Sequence, residues 1–197
     1  MTAPSRSTVL LSIALALPAV YLGWRLWQGE PWRHGIDPSG DIAAKLLVVT
    51  LSIGPLARLA GEIRPIAWLL ARRRILGLAA FGYALFHAVV FSASIGRLDW
   101  IVQGMAFASM WTGWIAFGML SASAAISNRS AVVLLGRWWK RVQRLVYPAA
   151  LLVLAHWLLL SASPRYALAH CLPVALLWIL IAGRQLFRTA TRAYSRR

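Results

Sequence analysis

Six apolar stretches, separated by short polar segments, dominate this sequence. They cover residues 9–27, 42–59, 75–94, 105–126, 145–161 and 166–187. A helix of about 20 apolar residues spans the hydrocarbon core of a bilayer, where the chain must satisfy its backbone hydrogen bonds internally. We therefore predict an all-α integral membrane protein, a six-helix bundle formed by residues 9–187, with an N-terminal segment at 1–8 and a basic tail at 188–197.

Three segments depart from this regular pattern. Lys45 lies just inside the second span, and Gly54 and Pro55 interrupt that span near its other end. Such residues are tolerated in a membrane helix when neighbouring helices satisfy the freed backbone groups. Residues 35–38 are typical of a turn. Residues 128–144 interleave apolar and basic side chains, which predicts an amphipathic segment along the membrane surface.

The basic residues are divided unequally between the two sets of loops. Most of them lie in the N-terminus, in residues 58–74, in residues 127–144 and in the C-terminal tail. The alternate loops hold only Arg33, Arg97 and Arg165, together with four of the five acidic residues. Loops rich in lysine and arginine stay on the cytoplasmic side. We therefore predict that both termini are cytoplasmic.

The formal net charge of +16 raises the question of a nucleic-acid partner. The basic residues occur at the ends of apolar stretches, and no long polar domain exists to form a nucleic-acid surface. We predict contacts with membrane lipids and none with nucleic acid. Residues 137–144 favour contact with anionic lipid headgroups. The alternative interpretation of that stretch is a docking face for an electron donor or for a flavin phosphate.

Two histidines lie inside apolar helices at matching depths. His87 is 13 positions after the basic anchor Arg74, and His156 is 12 positions after Arg144. At about 1.5 Å per residue, both imidazoles lie roughly 18–20 Å from the face that carries the anchors, past the middle of a ~30 Å core. Intramembrane histidine is rare and usually faces the bundle interior. The pair is predicted to bind a haem iron through two axial imidazoles; the alternative is hydrogen bonding between helices.

The two remaining histidines and the single cysteine are weaker candidates for a functional site. His170 lies close to the end of the sixth span and His34 lies in an acidic loop, so we predict that both are interfacial and not ligands. The single Cys171 excludes an internal disulfide and the CxxCH attachment motif, so a haem would be held by coordination alone. No catalytic triad, phosphate-binding loop or zinc-ligand spacing is present, and we predict no catalytic residues.

Several short motifs follow one another in an order and spacing that resemble a known family. They are Ile53-Gly-Pro-Leu-Ala-Arg58, Arg73-Arg-Ile-Leu-Gly-Leu78, Phe81-Gly-Tyr-Ala-Leu-Phe-His87, Leu135-Gly-Arg-Trp-Trp139 and Val146-Tyr147 followed by His156. The chain resembles the MsrQ family, the haem-binding membrane subunits of the bacterial periplasmic methionine sulfoxide reductase system. This family belongs to the ferric-reductase-like transmembrane superfamily.

The resemblance implies a bacterial inner-membrane six-helix bundle that binds haem b, with His87 and His156 at the positions of its outer-site ligands. It also implies FMN and a periplasmic partner, a molybdopterin-containing reductase subunit. Two departures stand out. Gln143 replaces a family histidine, so we predict a single haem in this chain. The family's Thr-Gly element is also expected to be missing after Asp41.

These observations predict a b-type cytochrome that relays electrons from a cytoplasmic flavin reductase or quinol, through haem, to a periplasmic acceptor. Tyr83, Phe91 and Leu152 are expected to shield the porphyrin from water. One alternative is a stand-alone transmembrane ferric or other metal reductase. Another alternative is a membrane anchor subunit without any cofactor.

Overall fold

The computed structural model describes residues 5–61, 63–161 and 163–194, with side chains described up to residue 183. Within these ranges the regular elements are all helical. They are α1 (Arg6–Trp27), a 3₁₀ turn (Trp32–Gly35), α2 (Ile36–Ala60), α3 (Arg64–Ile95), α4 (Leu98–Gly104), α5 (Ala108–Ala125), α6 (Arg129–Leu135), α7 (Arg137–Gln143), α8 (Val146–Leu160) and α9 (Pro164–Tyr194).

Five stretches of this described chain are long and apolar enough to cross a membrane. They are Arg6–Trp27, Trp32–Ala60, Arg64–Ile95, Arg137–Leu160 and Pro164–Gly183. A sixth crossing exists if α4 and α5, which meet at 105°, together form one broken span. The predicted all-α membrane architecture is confirmed, with five or six crossings. The predicted fourth span, 105–126, corresponds to the shorter α5.

Some predicted boundaries are wrong. The 3₁₀ turn ends at Gly35 and α2 begins at once, so residues 35–38 are a helix start and not a separate turn. Pro38 fits there because the first turn of a helix has no partners for its N–H groups. Likewise α3 begins at Arg64, well before the predicted residue 75, because Pro65 favours the first helical turn.

The predicted surface segment 128–144 divides into two parts. Gly136, with φ +47°, separates α6 from α7. α7 continues into α8 as one stretch of span length, so only α6 stands apart. The indole N–H of Trp139 donates to the Ile126 carbonyl at the end of α5 (3.0 Å), and this bond holds α7 against that end. The first four residues of the predicted segment 1–8 and the last three of the predicted tail 188–197 lie outside the described residues.

Four helices, α2, α3, α5 and α8, meet in the apolar core of the bundle. α2 pairs with α3 and α5 pairs with α8. The buried cluster takes side chains from all four of these helices: Leu47, Leu51, Ala80, Leu120 and Ala149. Such an arrangement can bury a cofactor between facing helices. α1 packs on α3, and α9 packs on α2 and α8.

The hydroxyl of Tyr83 attaches α1 to the core. It accepts a hydrogen bond from the Ala19 N–H (3.0 Å) and donates one to the Leu15 carbonyl (2.7 Å). These are two backbone groups that a regular α-helix would pair directly. The neighbouring Pro18 has no N–H, which weakens the backbone ladder at this point. Tyr83 therefore has a structural role four residues before His87.

Candidate functional site

The two intramembrane histidines lie side by side. His87 of α3 and His156 of α8 are partly buried, and their ring centres are 6.3 Å apart with the ring planes at 84°. The prediction that the two imidazoles share one level of the bundle is confirmed. Their role as haem ligands stays a prediction at this point.

The His87 ring is held by a hydroxyl–glycine pair on α2. Ser39 Oγ donates to the carbonyls of Gly35 (2.6 Å) and Ile36 (2.9 Å). The next residue, Gly40, leaves space for the ring: a Cβ atom at Gly40 would lie 2.9 Å from His87 Nδ1 and Cε1. In turn, His87 Nδ1 lies 2.9 Å from the Ile36 carbonyl oxygen. The ring therefore occupies the volume that a side chain at residue 40 would fill.

The His156 ring packs against Gly113 of α5 and bonds to a carbonyl of the same helix. Thr112 Oγ1 donates to the carbonyls of Ala108 (2.6 Å) and Ser109 (3.2 Å). A Cβ atom at Gly113 would lie 2.7 Å from His156 Nδ1 and Cε1. His156 Nδ1 also bonds to the Ser109 carbonyl. Each ring thus lies over a glycine of a neighbouring helix and bonds through Nδ1 to a carbonyl of that helix.

These bonds determine the tautomer of both histidines. A carbonyl oxygen only accepts hydrogen bonds, so Nδ1 of each ring must carry the hydrogen. In the neutral imidazole Nε2 then has a free lone pair, which is the state a metal ligand requires. A metal-binding histidine commonly donates its other N–H to a carbonyl in this manner. The backbone of α2 and α5 therefore prepares both rings for coordination through Nε2.

A cavity of ≈ 840 Å³ adjoins the two imidazoles. This volume lies within the range of about 300–1,000 Å³ that is usual for ligand sites. Its walls come from α2, α3, α5 and α8 and consist mainly of small and aromatic residues. They include Ala43, Ala44, Ala80, Ala84, Ala88, Phe91, Trp114, Ala116 and Phe117.

The donor set fits a haem better than a bare metal ion. In the part of the chain that the structure describes, no group of three or more His, Cys, Asp or Glu residues could hold a metal. Two imidazoles alone leave a metal ion short of ligands, whereas a porphyrin supplies four more nitrogens. The two rings are close enough, with centres 6.3 Å apart, for both to contribute to one site.

Apart from the two imidazoles, the polar residues that line the cavity lie at one end. This end, called the rim below, is formed by the start of α2, the end of α8 and the start of α9, and it exposes Asp37, Asp41, Ser161, Ser163 and Tyr166. The opposite end is lined by apolar residues, among them Leu47, Ala80, Leu120 and Val153.

Lys45 joins two residues of the rim. Its Nζ donates to Asp41 Oδ2 (2.7 Å) and to the Tyr166 hydroxyl (2.8 Å). The Tyr166 ring also packs against Trp157 and His170, with ring centres 5.8 Å and 4.5 Å away. A charged residue inside a predicted span is thus explained by its partners at the end of the bundle.

The other two histidines and Gln143 lie outside the cavity wall. His34 is exposed, and its Nδ1 lies 3.2 Å from Glu30 Oε1. His170 Nδ1 bonds to the Tyr166 carbonyl (2.8 Å), and His170 does not line the cavity. Gln143 Nε2 donates to the Ser123 carbonyl and to Ser127 Oγ, both at 3.1 Å. Gln143 therefore ties α7 to the end of α5.

Of the three residues expected to shield a porphyrin, only Phe91 lines the cavity. Tyr83 instead faces α1, and Leu152 lies outside the cavity wall. The two hydroxyl–glycine pairs, Ser39-Gly40 and Thr112-Gly113, were missed from the sequence.

Comparison with known proteins finds related chains of similar length. A protein-methionine-sulfoxide reductase heme-binding subunit MsrQ of Xanthomonas oryzae pv. oryzae (strain MAFF 311018) is 34% identical over 189 residues, which cover 87% of this chain and 84% of the relative. The chain belongs to the MsrQ family.

Two further MsrQ proteins extend this result. The one from Xanthomonas euvesicatoria pv. vesicatoria (strain 85-10) is 32% identical over 201 residues, covering 94% of this chain and 90% of the relative. The one from Xanthomonas campestris pv. campestris (strain 8004) is 33% identical, covering 77% and 74%. No family model and no solved structure matches the chain. Multi-pass membrane insertion follows from MsrQ membership together with the apolar helices.

Proposed function

We propose that this MsrQ-family chain is a haem-binding subunit that relays electrons across the membrane, with His87 and His156 as the axial ligands of one haem b. The observation that carries the proposal is the pair of imidazoles 6.3 Å apart at a cavity of ≈ 840 Å³. The relatives, which are heme-binding subunits of protein-methionine-sulfoxide reductase, support it.

A bound haem would supply one-electron redox chemistry at this site. The residues of the chain provide the environment for that chemistry. Nδ1–H of each ligand stays on a backbone carbonyl, so each ring keeps one orientation and leaves Nε2 free. The apolar walls would exclude water from a bound porphyrin, which would help to set its reduction potential. Phe91, Trp114 and Phe117 are aromatic residues of these walls.

The route on either side of the haem follows the predicted topology. Electrons would enter at the cytoplasmic face, from a flavin reductase or from quinol, near Arg74 and Gln143 and with FMN as a family-implied carrier. They would leave at the periplasmic face of the inner membrane toward a molybdopterin-containing methionine sulfoxide reductase subunit. Gln143 offers iron no imidazole, which supports a single haem.

Absorption spectroscopy of the purified protein tests the ligand assignment. The wild-type protein should show a b-type haem spectrum, and His87→Ala and His156→Ala should each abolish it or change it strongly. Retention of an unchanged spectrum in both variants would refute the assignment. A wild-type protein that binds no haem when expressed with ample haem supply would instead favour the cofactor-free anchor.

The acceptor can be tested by stopped-flow oxidation of the reduced haem. Oxidised methionine sulfoxide reductase partner should oxidise it faster than ferric or cupric chelates do at equal concentration. The reverse order of rates would favour the stand-alone metal reductase.

The orientation can be tested with reporter fusions. Fusions after Ser130 and Arg197 should report the cytoplasm, and a fusion near Asp99 should report the periplasm. A periplasmic C-terminus would contradict the predicted topology.

A further inference from the structure

A haem bound in the cavity would bring negative charges that the protein must compensate. A haem carries two propionate carboxylates, and burying a carboxylate is costly unless a cation or a hydrogen-bond donor pairs with it. Apart from the two imidazoles, the polar side chains that line the cavity lie at the rim, whereas Leu47, Ala80, Leu120 and Val153 line its other end. The carboxylate edge of the haem is therefore expected at the rim.

We propose that Lys45 and Tyr166 form a carboxylate-binding subsite that holds a haem propionate, and that Asp41 occupies this subsite when no haem is bound. The inference rests on the proposed function, because it requires a haem between His87 and His156. It adds residues of α2 and α9 that would bind the edge of the haem.

Lys45 is the cation that the geometry selects. In the described residues, it is the only lysine or arginine whose side chain bonds to residues that line the cavity. Its two partners, Asp41 and Tyr166, both belong to the rim. The Lys45 side chain is only 38% exposed, and Nζ also lies 5.3 Å from the centre of the Tyr166 ring. Lys45 does not itself line the cavity, but its Nζ is held beside the rim by these two lining residues.

Asp41 is the natural competitor for the same donors. Its Oδ2 lies 2.7 Å from Lys45 Nζ, and the Tyr166 hydroxyl lies 3.4 Å from its Oδ1. One carboxylate therefore already accepts from the ammonium and lies within reach of the phenol, as a propionate would. Asp37 adds a second acidic side chain to the rim. The carboxylates of Asp37 and Asp41 would repel a propionate at the rim. A nearby cation is therefore needed to offset this repulsion.

The position of Asp41 links the subsite to the iron site. Asp41 follows Gly40, which contacts His87, and Tyr166 packs against Trp157, which follows His156. A positive charge next to a haem stabilises its reduced form, so Lys45 should raise the midpoint potential and Asp41 should lower it. The two residues should then have effects of opposite sign. A purely structural tie between α2 and α9 would instead make both substitutions harmful in the same direction.

The experiment compares Lys45→Gln and Asp41→Asn in the full-length, haem-loaded protein. Transfer of haem to excess apomyoglobin measures haem retention, and a redox titration measures the midpoint potential. Lys45→Gln should lose haem roughly five-fold faster, as expected for one partly exposed charge-assisted hydrogen bond, and its potential should fall. Asp41→Asn should retain haem longer, and its potential should rise. The haem spectrum should keep its bis-imidazole form in both.

Matched controls come from a second outer ion pair. Arg97 and Asp99 pair on the same predicted side of the membrane and do not line the cavity. Arg97→Gln and Asp99→Asn should therefore leave haem transfer and potential unchanged. Lys45→Arg, which keeps the charge, should restore most of the retention lost in Lys45→Gln. This variant also separates loss of charge from a failure to fold.

Equal haem loss in Lys45→Gln and Asp41→Asn, or no change in either, would overturn the carboxylate-binding subsite while leaving the haem proposal intact. A wild-type protein without haem would overturn the proposed function and this inference together. The two failures are thus distinguishable.

Discussion

Replacing Gly113 by alanine should disturb the site without unfolding the bundle. The added Cβ would lie 2.7 Å from His156 Nδ1 and Cε1, so the ring or α5 must move. Overpacking of this kind costs about 1–3 kcal/mol. If the cost falls on the coordinating position of the ring, haem affinity drops by roughly 5- to 150-fold. Movement of the ring would also lengthen its bond to the Ser109 carbonyl.

Gly118→Ala is the matched control on the same helix. No atom lies within 4 Å of the position that its Cβ would take. Alanine is a better helix former than glycine by about 0.5–1 kcal/mol, so this change should be neutral or slightly stabilising. Gly40→Ala should resemble Gly113→Ala, because its Cβ would lie 2.9 Å from the His87 ring.

Haem-to-protein ratio and the absorption spectrum after purification provide the assay, with thermal unfolding of the apoprotein as a check on folding. We expect a reduced ratio or an altered spectrum for Gly113→Ala and for Gly40→Ala, and wild-type values for Gly118→Ala. Wild-type haem content and spectrum in all three variants would refute the conclusion that glycine is needed to accommodate each imidazole.

Three other predictions concern residues outside the cavity beside His87 and His156. His34→Ala and His170→Ala should leave the haem spectrum nearly unchanged, because neither ring lines the cavity; a lost spectrum would contradict this. Gln143→Ala should keep one haem per chain but lower the melting temperature through two lost hydrogen bonds, about 1–3 kcal/mol together. A haem ratio near two that falls to one in this variant would disprove the single-haem model. Tyr83→Phe should destabilise the protein by about 1–3 kcal/mol in thermal unfolding, because it opens two backbone groups of α1. The same change at the exposed Tyr147 should have little effect, and equal melting temperatures would refute the role of the Tyr83 hydroxyl.

The sequence by itself determined the class of the fold and the identity of the two central histidines. Apolar length and basic flanks report on transfer into a bilayer, which is a local property of each segment. Depth along a helix is also local, because it depends only on the rise per residue. His87 and His156 could therefore be placed at one level before any contact between their helices was known. The order of the short motifs identified the family for the same reason, as a linear property of the chain.

The tertiary structure alone decided what surrounds those histidines. Each imidazole fills the space above a glycine of another helix and donates to a carbonyl one helical turn before it. No local signal distinguishes Gly40 and Gly113 from glycines that serve only close packing, since the distinction depends on which ring faces them. The pairing of Lys45 with Tyr166, 121 residues away, was hidden for the same reason. Periodicity and composition indicate whether each residue prefers lipid, water or the protein interior. The site depends instead on which residues of separate helices pack against each other.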